Sequence, residues 1–219
     1  MINGIFKWFE DRIDPYPQHE PQQPPKTLLG FCLHYSFGAK RWLASMTILG
    51  AAIAVGEITL FGFMGSLVDW LGTADKATFL ANEGWKLWLM GLFLLVLLPV
   101  LQLIDSLIIH QTLLGNFPQR IRWMAHRYLI RQSMSYFQDE FAGRIATKLM
   151  QTALAVRDVW MILADILVFV LIYFVTMVAV VGGFDRWLLL PFVAWVLLYV
   201  AALRYFVPRL ARTAQAQAD

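Results

Sequence analysis

The sequence predicts an all-α integral membrane protein with four transmembrane helices, the second and third extended into a long cytoplasmic helical hairpin. Three observations predict it. Of 219 residues, 59% are hydrophobic and only 15% charged, against roughly 25% charged in soluble domains, and the mean hydropathy is +0.58. Four apolar runs are each long enough to cross the hydrocarbon, which takes about 20 residues of helix at roughly 1.5 Å each. Between the second and third runs, a polar stretch keeps helical spacing.

The amino-terminal segment, 1–41, reads as a cytoplasmic arm. INGIFKWFEDRI places Ile2, Ile5, Phe6, Phe9 and Ile13 on one helical face, as in a short helix lying in the membrane surface; a frayed terminus is the alternative. It has acids and prolines where a cleavable leader would have a basic region and a long apolar core. PYPQHEPQQPP is an extended, proline-rich linker. TLLGFCLHYSFGAKRW then leads into the first span as an elbow helix.

The remainder, 42–219, holds spans at about 42–68, 85–115, 162–181 and 187–207, and a connecting loop at about 116–161. The second run is too long to be only a span, and Pro99 within it is expected to kink it, because proline removes a backbone donor. Trp42, Trp70, Trp85, Trp88 and Trp187 fall near span ends, where indole suits the headgroup layer. In the first span, Gly50, Ala51, Ala54, Gly56, Gly62 and Gly65 suit close helix packing.

Basic residues set the orientation. Lys7, Arg12, Lys26, Lys40 and Arg41 precede the first span. Arg120, Arg122, Arg127, Arg131, Arg144, Lys148 and Arg157 lie between the second and third, and Arg209 and Arg212 follow the fourth. The other two connections hold Lys76, Lys86 and Arg186, the first of them beside Asp69, Asp75 and Glu83. The positive-inside rule then places both chain ends in the cytoplasm of a multi-pass protein of the inner (plasma) membrane. The net charge of +3 is distributed as topology requires, not as a nucleic-acid-binding stripe.

In the loop, Ile145, Leu149, Thr152, Val156, Val159 and Leu163 alternate four and three apart, a coiled-coil-like seam leading into the third span. Trp123, Ile130, Met134 and Phe137 share a face of the preceding helix, interrupted by Arg127, while Arg120 and Arg131 keep other faces wet. The hairpin should turn around SYFQDEFAG. Tyr136, Phe137 and Phe141 there either enter a partner's groove or lock the turn.

Glu57 and Asp105 are acids inside apolar helices. They are either polar positions on a substrate path favouring cations, or are packed against local partners. The four histidines are scattered and the single Cys32 has no partner in the chain, so no zinc spacing or internal disulfide arises. No Gly-x-Ser-x-Gly elbow is present.

YFQDEFAGRI, continuing through Lys148–Leu149 to Val156–Arg157–Asp158, resembles the first intracellular loop of ATP-binding cassette (ABC) exporters, as in bacterial multidrug and lipid exporters. GSLVDWL closes the first span as in that family, and YFVPRLARTAQAQAD is similar to the start of its second intracellular loop. The resemblance runs from about Thr27 onward. It implies that Ser135, Tyr136, Phe137, Gln138, Asp139 and Glu140 form a coupling helix that docks onto a nucleotide-binding domain, and that the complete transporter is a dimer. The family's membrane unit has six spans; this sequence has four and no GxxxxGK[ST] phosphate loop. The expectation is therefore the front part of an exporter, from a truncated gene or a longer polypeptide. The chain itself would bind no cofactor, ATP and magnesium belonging to the nucleotide-binding domain, and would neither hydrolyse ATP nor complete a pathway alone. The competing class is a four-span scaffold or partner-binding subunit without transport; a small channel is a third.

Overall fold

The computed structural model describes residues 2–20, 22–73, 79–139, 142–184, 187 and 189–218. All regular structure among them is helical: α1 (Ile2–Glu10), α2 (Leu28–Tyr35), α3 (Lys40–Thr73), α4 (Phe79–Leu92), α5 (Leu98–Leu107), α6 (Asn116–Leu129), α7 (Met134–Asp139), α8 (Ala142–Met161), α9 (Leu167–Phe184) and α10 (Leu189–Ala218). Three π-helical turns, Phe93–Leu97, Ile108–Leu113 and Ile162–Ile166, join successive helices into longer rods. Four helical stretches are long and apolar enough to cross a membrane: Lys40–Gly72, Gly84–Leu129, Gly143–Val180 and Leu189–Thr213. The protein is thus an all-α membrane protein, with its second and third rods extended into a hairpin whose arms, α6 and α8, pack together.

The chain divides into two units, Met1–Ile172 and Tyr173–Asp219. The core of the first gathers where the arm, the elbow, the start of α3 and the end of the second rod meet. Ile13, Met46, Leu113, Phe117 and Ile121 are fully buried there, joined by Tyr35, Ala153 and Val156. In the second unit, the Phe174 and Trp195 rings stack at 6.0 Å and Trp195 lies on Tyr199 at 5.5 Å. Asp185 and Arg186, in the connection read as GGFDR, lie outside the described residues, as do Asp75 and Lys76.

The expected disturbance at Pro99 takes the form of a π-helical turn immediately before it, with the proline in the first turn of α5. Proline has no N–H to give, and its ring would crowd the carbonyl of Leu95; a widened turn relieves both. The small-residue stripe of α3 serves close packing over part of its length. A Cβ on Gly56 would stand 2.7 Å from Leu98 Cδ2, whereas one on Gly62 or Gly65 would meet nothing.

The helix of the arm is shorter than the apolar pattern that runs to Ile13. α1 ends at Glu10, and the turn that follows drives Ile13 into the core at 1% exposure. Two carbonyls at the end of α1 are met by the second rod: Thr112 Oγ1 donates to Phe9 O at 3.0 Å and Asn116 Nδ2 to Glu10 O at 2.6 Å. The last carbonyls of a helix have no N–H donor within it, so side chains a hundred residues away help to fix the arm. Ile5 and Trp8 keep exposed apolar faces.

The proline-rich segment is likewise strapped down. Its prolines remove donors but leave every carbonyl, and α6 supplies the hydrogens. Trp123 Nε1 donates to Pro17 O at 3.2 Å, and Arg127 Nη1 donates to Pro17 O at 3.0 Å and His19 O at 2.9 Å. Arg127, read as a polar break in an apolar face, is a clamp.

Arg120 is a correction of the same kind. Expected on a wet face, it is only 6% exposed. Its Nε donates to Phe37 O at 3.0 Å and its Nη1 to Asp14 O at 2.7 Å, so one planar guanidinium ties arm and elbow to α6.

The segment read as an elbow contains the helix α2. Thr27 caps α2, its Oγ1 accepting from Gly30 N at 3.3 Å. Gly38, at φ +91°, then reverses the chain into α3. A Cβ there would lie 2.7 Å from Arg120 Nη2, so the position requires glycine for both conformation and space.

Candidate functional site

Two places hold the residues singled out by sequence: the tip of the hairpin, and acids along the rods.

At the tip, α6 stops at Leu129, Ile130 caps it, and a non-helical step through Ser133 precedes α7. The face imagined through Trp123, Ile130, Met134 and Phe137 is therefore broken, with Ile130 and Met134 exposed. The inward face of α6 is instead Phe117, Arg120, Ile121 and Met124. Ser133 caps α7, its Oγ and carbonyl accepting from Tyr136 N at 3.4 and 3.1 Å, with Ser135 Oγ 2.8 Å from Ser133 Oγ.

Tyr136 and Phe137 meet edge-to-face at 5.4 Å and 83°, yet remain 38% and 39% exposed. Ser135 and Gln138 are exposed beside them, and Asp139 closes the helix. Glu140 and Phe141 lie outside the described residues. The tip is thus a six-residue helix presenting an aromatic pair.

Below it, α8 carries the predicted seam with Val156 buried and Thr152 and Val159 partly so, Ala153 joining them. The seam shifts at its end: Leu163 is 42% exposed and Ala164 is buried in its place. The π-helical turn Ile162–Ile166 accommodates an extra residue, which advances every later side chain around the axis.

Glu57 and Asp105 lie on two helices that pack together, α3 and α5. Gln102 Nε2 donates to Glu57 Oε1 at 3.4 Å, and Asp105 lies one turn further along α5, its Oδ1 buried with no hydrogen-bond partner among the described residues. Sequence reasoning missed Asp165. Its Oδ1 would stand 3.4 Å from a Cβ on Gly50, so it occupies the space that the glycine opens on α3, within electrostatic reach of Asp105. Its sequence signal was an acid four residues into the apolar start of the third span, the same signal that singled out Asp105. Among the described residues no group of three or more metal-ligating side chains gathers.

The whole chain is similar to one stretch of a curated protein of Haemophilus influenzae described as an uncharacterized ABC transporter ATP-binding protein. The identity is 45% over 220 residues, taking in 100% of this chain. This chain is an ABC transporter homologue. It spans 36% of that relative's length, and within that span this homologue corresponds to a membrane-domain segment with four long apolar helices. No protein-family model matches this ABC transporter homologue, and no solved structure matches it.

Proposed function

We propose that the chain is the first part of the membrane domain of an ATP-driven ABC exporter, contributing to the substrate path and passing the ATP cycle to the spans through the hairpin tip. The observation that carries this reading is the exposed Tyr136–Phe137 pair on α7, at the end of a packed two-helix stalk, in a homologue of an ABC transporter. Large aromatic groups held rigidly at a tip suit a groove on a partner, where one or two such anchors supply most of the binding. In this reading Ser135, Tyr136, Phe137, Gln138, Asp139 and Glu140 enter a groove of a nucleotide-binding domain, on the same longer chain or a separate one. ATP and magnesium bind that domain, and two copies complete the transporter. The basic segments and both ends face the cytoplasm. Glu57 and Asp105, now with Asp165, supply polar positions along the path.

The test uses the polypeptide that carries a nucleotide-binding domain. Tyr136→Ala with Phe137→Ala should leave basal ATP hydrolysis measurable and abolish its link to transport, and a cysteine at position 137 should crosslink to the nucleotide-binding domain. Unchanged transport in the double variant, with no crosslink at any tip position, would instead fit a hairpin that only locks its own turn.

A further inference from the structure

Beside the strapped arm, a cleft of about 680 Å³ opens between the end of α1, the Gly38 turn and the first turn of α3. Arg12, Lys40 and Arg41 line it, with Phe37, Trp42 and Ser45. It holds three cations and no acid. Arg12 is fixed rather than waving: its guanidinium carbon stacks 3.6 Å from the centre of the Trp8 ring, and Trp8 in turn meets Trp42 edge-on at 6.4 Å. Lys40 Nζ lies 5.9 Å from the Phe37 ring. None of the three cations is paired with a carboxylate among the described residues. The arm's own acids, Glu10, Asp11 and Asp14, open onto a different cleft beside His110 and Asn116. Charge is segregated to the two flanks of one short segment.

What continues from the cleft decides the ligand. Along α3, Arg41, Ser45, Ile48, Ala52 and Val55 recur four and three apart, which puts them in one stripe. Arg41, Ile48, Ala52 and Val55 are exposed, Ile48 by 68% and Val55 by 55%. The stripe is cationic at the end where the span begins and apolar along the span itself. A free anion would use only its first turn. An amphiphile uses all of it.

We propose that this cleft binds the phosphate of an anionic phospholipid, with Arg12, Lys40 and Arg41 on the headgroup and an acyl chain lying along the Ile48–Val55 stripe. Basic pockets at the end of a membrane helix have the right chemistry for anionic headgroups, and the Trp8–Trp42 contact places indole at the boundary where headgroup gives way to hydrocarbon. Arginine suits the fork of two phosphate oxygens, while lysine adds a point charge. The site stands on the membrane span and this cleft alone, independently of any transport activity.

The test is native mass spectrometry of the 219-residue chain in detergent micelles, titrated with phosphatidylglycerol or with phosphatidylcholine of the same acyl chains. One cation near a lipid surface is worth roughly a fivefold change in affinity. The wild-type chain should therefore retain phosphatidylglycerol at least about tenfold better than phosphatidylcholine. The single change Arg41→Gln, at an exposed position, should cost roughly fivefold, and R12Q/K40Q/R41Q should erase the preference. R204Q/R209Q/R212Q, which removes equal charge from α10, should leave it intact. The proposal is overturned if the wild type shows no preference, or if the α10 variant loses as much as the cleft variant. Displacement of phosphatidylglycerol by glycerol phosphate at equal concentration overturns it too, since the ligand would then be a free phosphate and not a lipid.

Discussion

Replacing Arg120 by methionine should detach the amino-terminal arm while leaving the four long helices in place. The guanidinium makes two hydrogen bonds to backbone carbonyls, Phe37 O at 3.0 Å and Asp14 O at 2.7 Å, at a site only 6% exposed. Hydrogen bonds to a charged donor contribute about 1.5–3 kcal/mol each. Part of that is offset because the wild-type guanidinium gives up hydration to enter the site, which methionine does not. A net loss of roughly 2–4 kcal/mol follows, equivalent to about a 30- to 1,000-fold rise in the open population of the arm. Amide hydrogen exchange reads that population directly. The amides of Asp11 and Arg12, which donate to Lys7 O and Phe9 O, should exchange faster by that factor. Amides in the middle of α3 should not change. Arg120→Lys should fall between, because one ammonium cannot span both acceptors in the plane that the guanidinium fits. Equal protection of the arm in wild type and Arg120→Met would refute the view that this residue, rather than the apolar burial of Ile13 beside it, holds the arm down.

Three further outcomes follow from the same packing. Gly38→Ala should destabilise the elbow by at least about 1–2 kcal/mol from its φ of +91° alone. The steric part of its effect should shrink in an Arg120→Ala background, where Nη2 is gone, and a double-mutant cycle measured by exchange checks this. Gly56→Ala should be tolerated because the atom it meets, Leu98 Cδ2, ends a flexible side chain. Gly56→Leu should lower the thermal midpoint by the equivalent of about 1–3 kcal/mol through overpacking, and Leu98→Ala should recover part of the loss. At His34, burial first and the nearby His19 second hold the imidazole below its ordinary pKa. The unfolded chain therefore takes up the proton first as pH falls, so this contribution is complete above about pH 6.5 and lost below it. Protection of α2 should decline between pH 7 and 5, with a shallower decline in His34→Gln.

The four spans were legible in the sequence because lipid imposes one requirement, about 20 apolar residues of uninterrupted helix, that any window of the chain can be tested against. The hairpin was legible for a related reason: the seam from Ile145 to Val159 repeats within a single helix. What escaped were residues whose partners are far away in sequence. Arg120 and Arg127 looked like ordinary solvated charges because their acceptors, carbonyls at positions 14, 17, 19 and 37, carry no side-chain signature. Ile13 fitted an amphipathic pattern with α1 until the helix ended three residues before it. Of the acids on the rods, Glu57 and Asp105 stood out, but the glycine that makes room for Asp165 is 115 positions away, and no local pattern links them.

The shift at Leu163 ties stalk and span together. A stalk that packs α8 on α6 needs one register, set by Val156 and its neighbours. A rod that packs on α3 at Gly50 needs another, one that turns small and polar groups inward. An unbroken α-helix carries a single register from end to end. The π-helical turn Ile162–Ile166 follows the stalk contact and itself makes the contact with α3. Its extra residue turns Leu163 outward, brings Ala164 into the core and sets Asp165 over Gly50. The second rod has the same construction. Its turn at Ile108–Leu113 separates α5, which packs on α3, from α6, which packs on α8 in the stalk. Such turns sit often at functional positions because they hold a helix in a geometry that sequence periodicity alone would not select. In both rods the turn lies where the stalk, with its aromatic tip, hands over to the part that carries the half-buried acids Asp105 and Asp165.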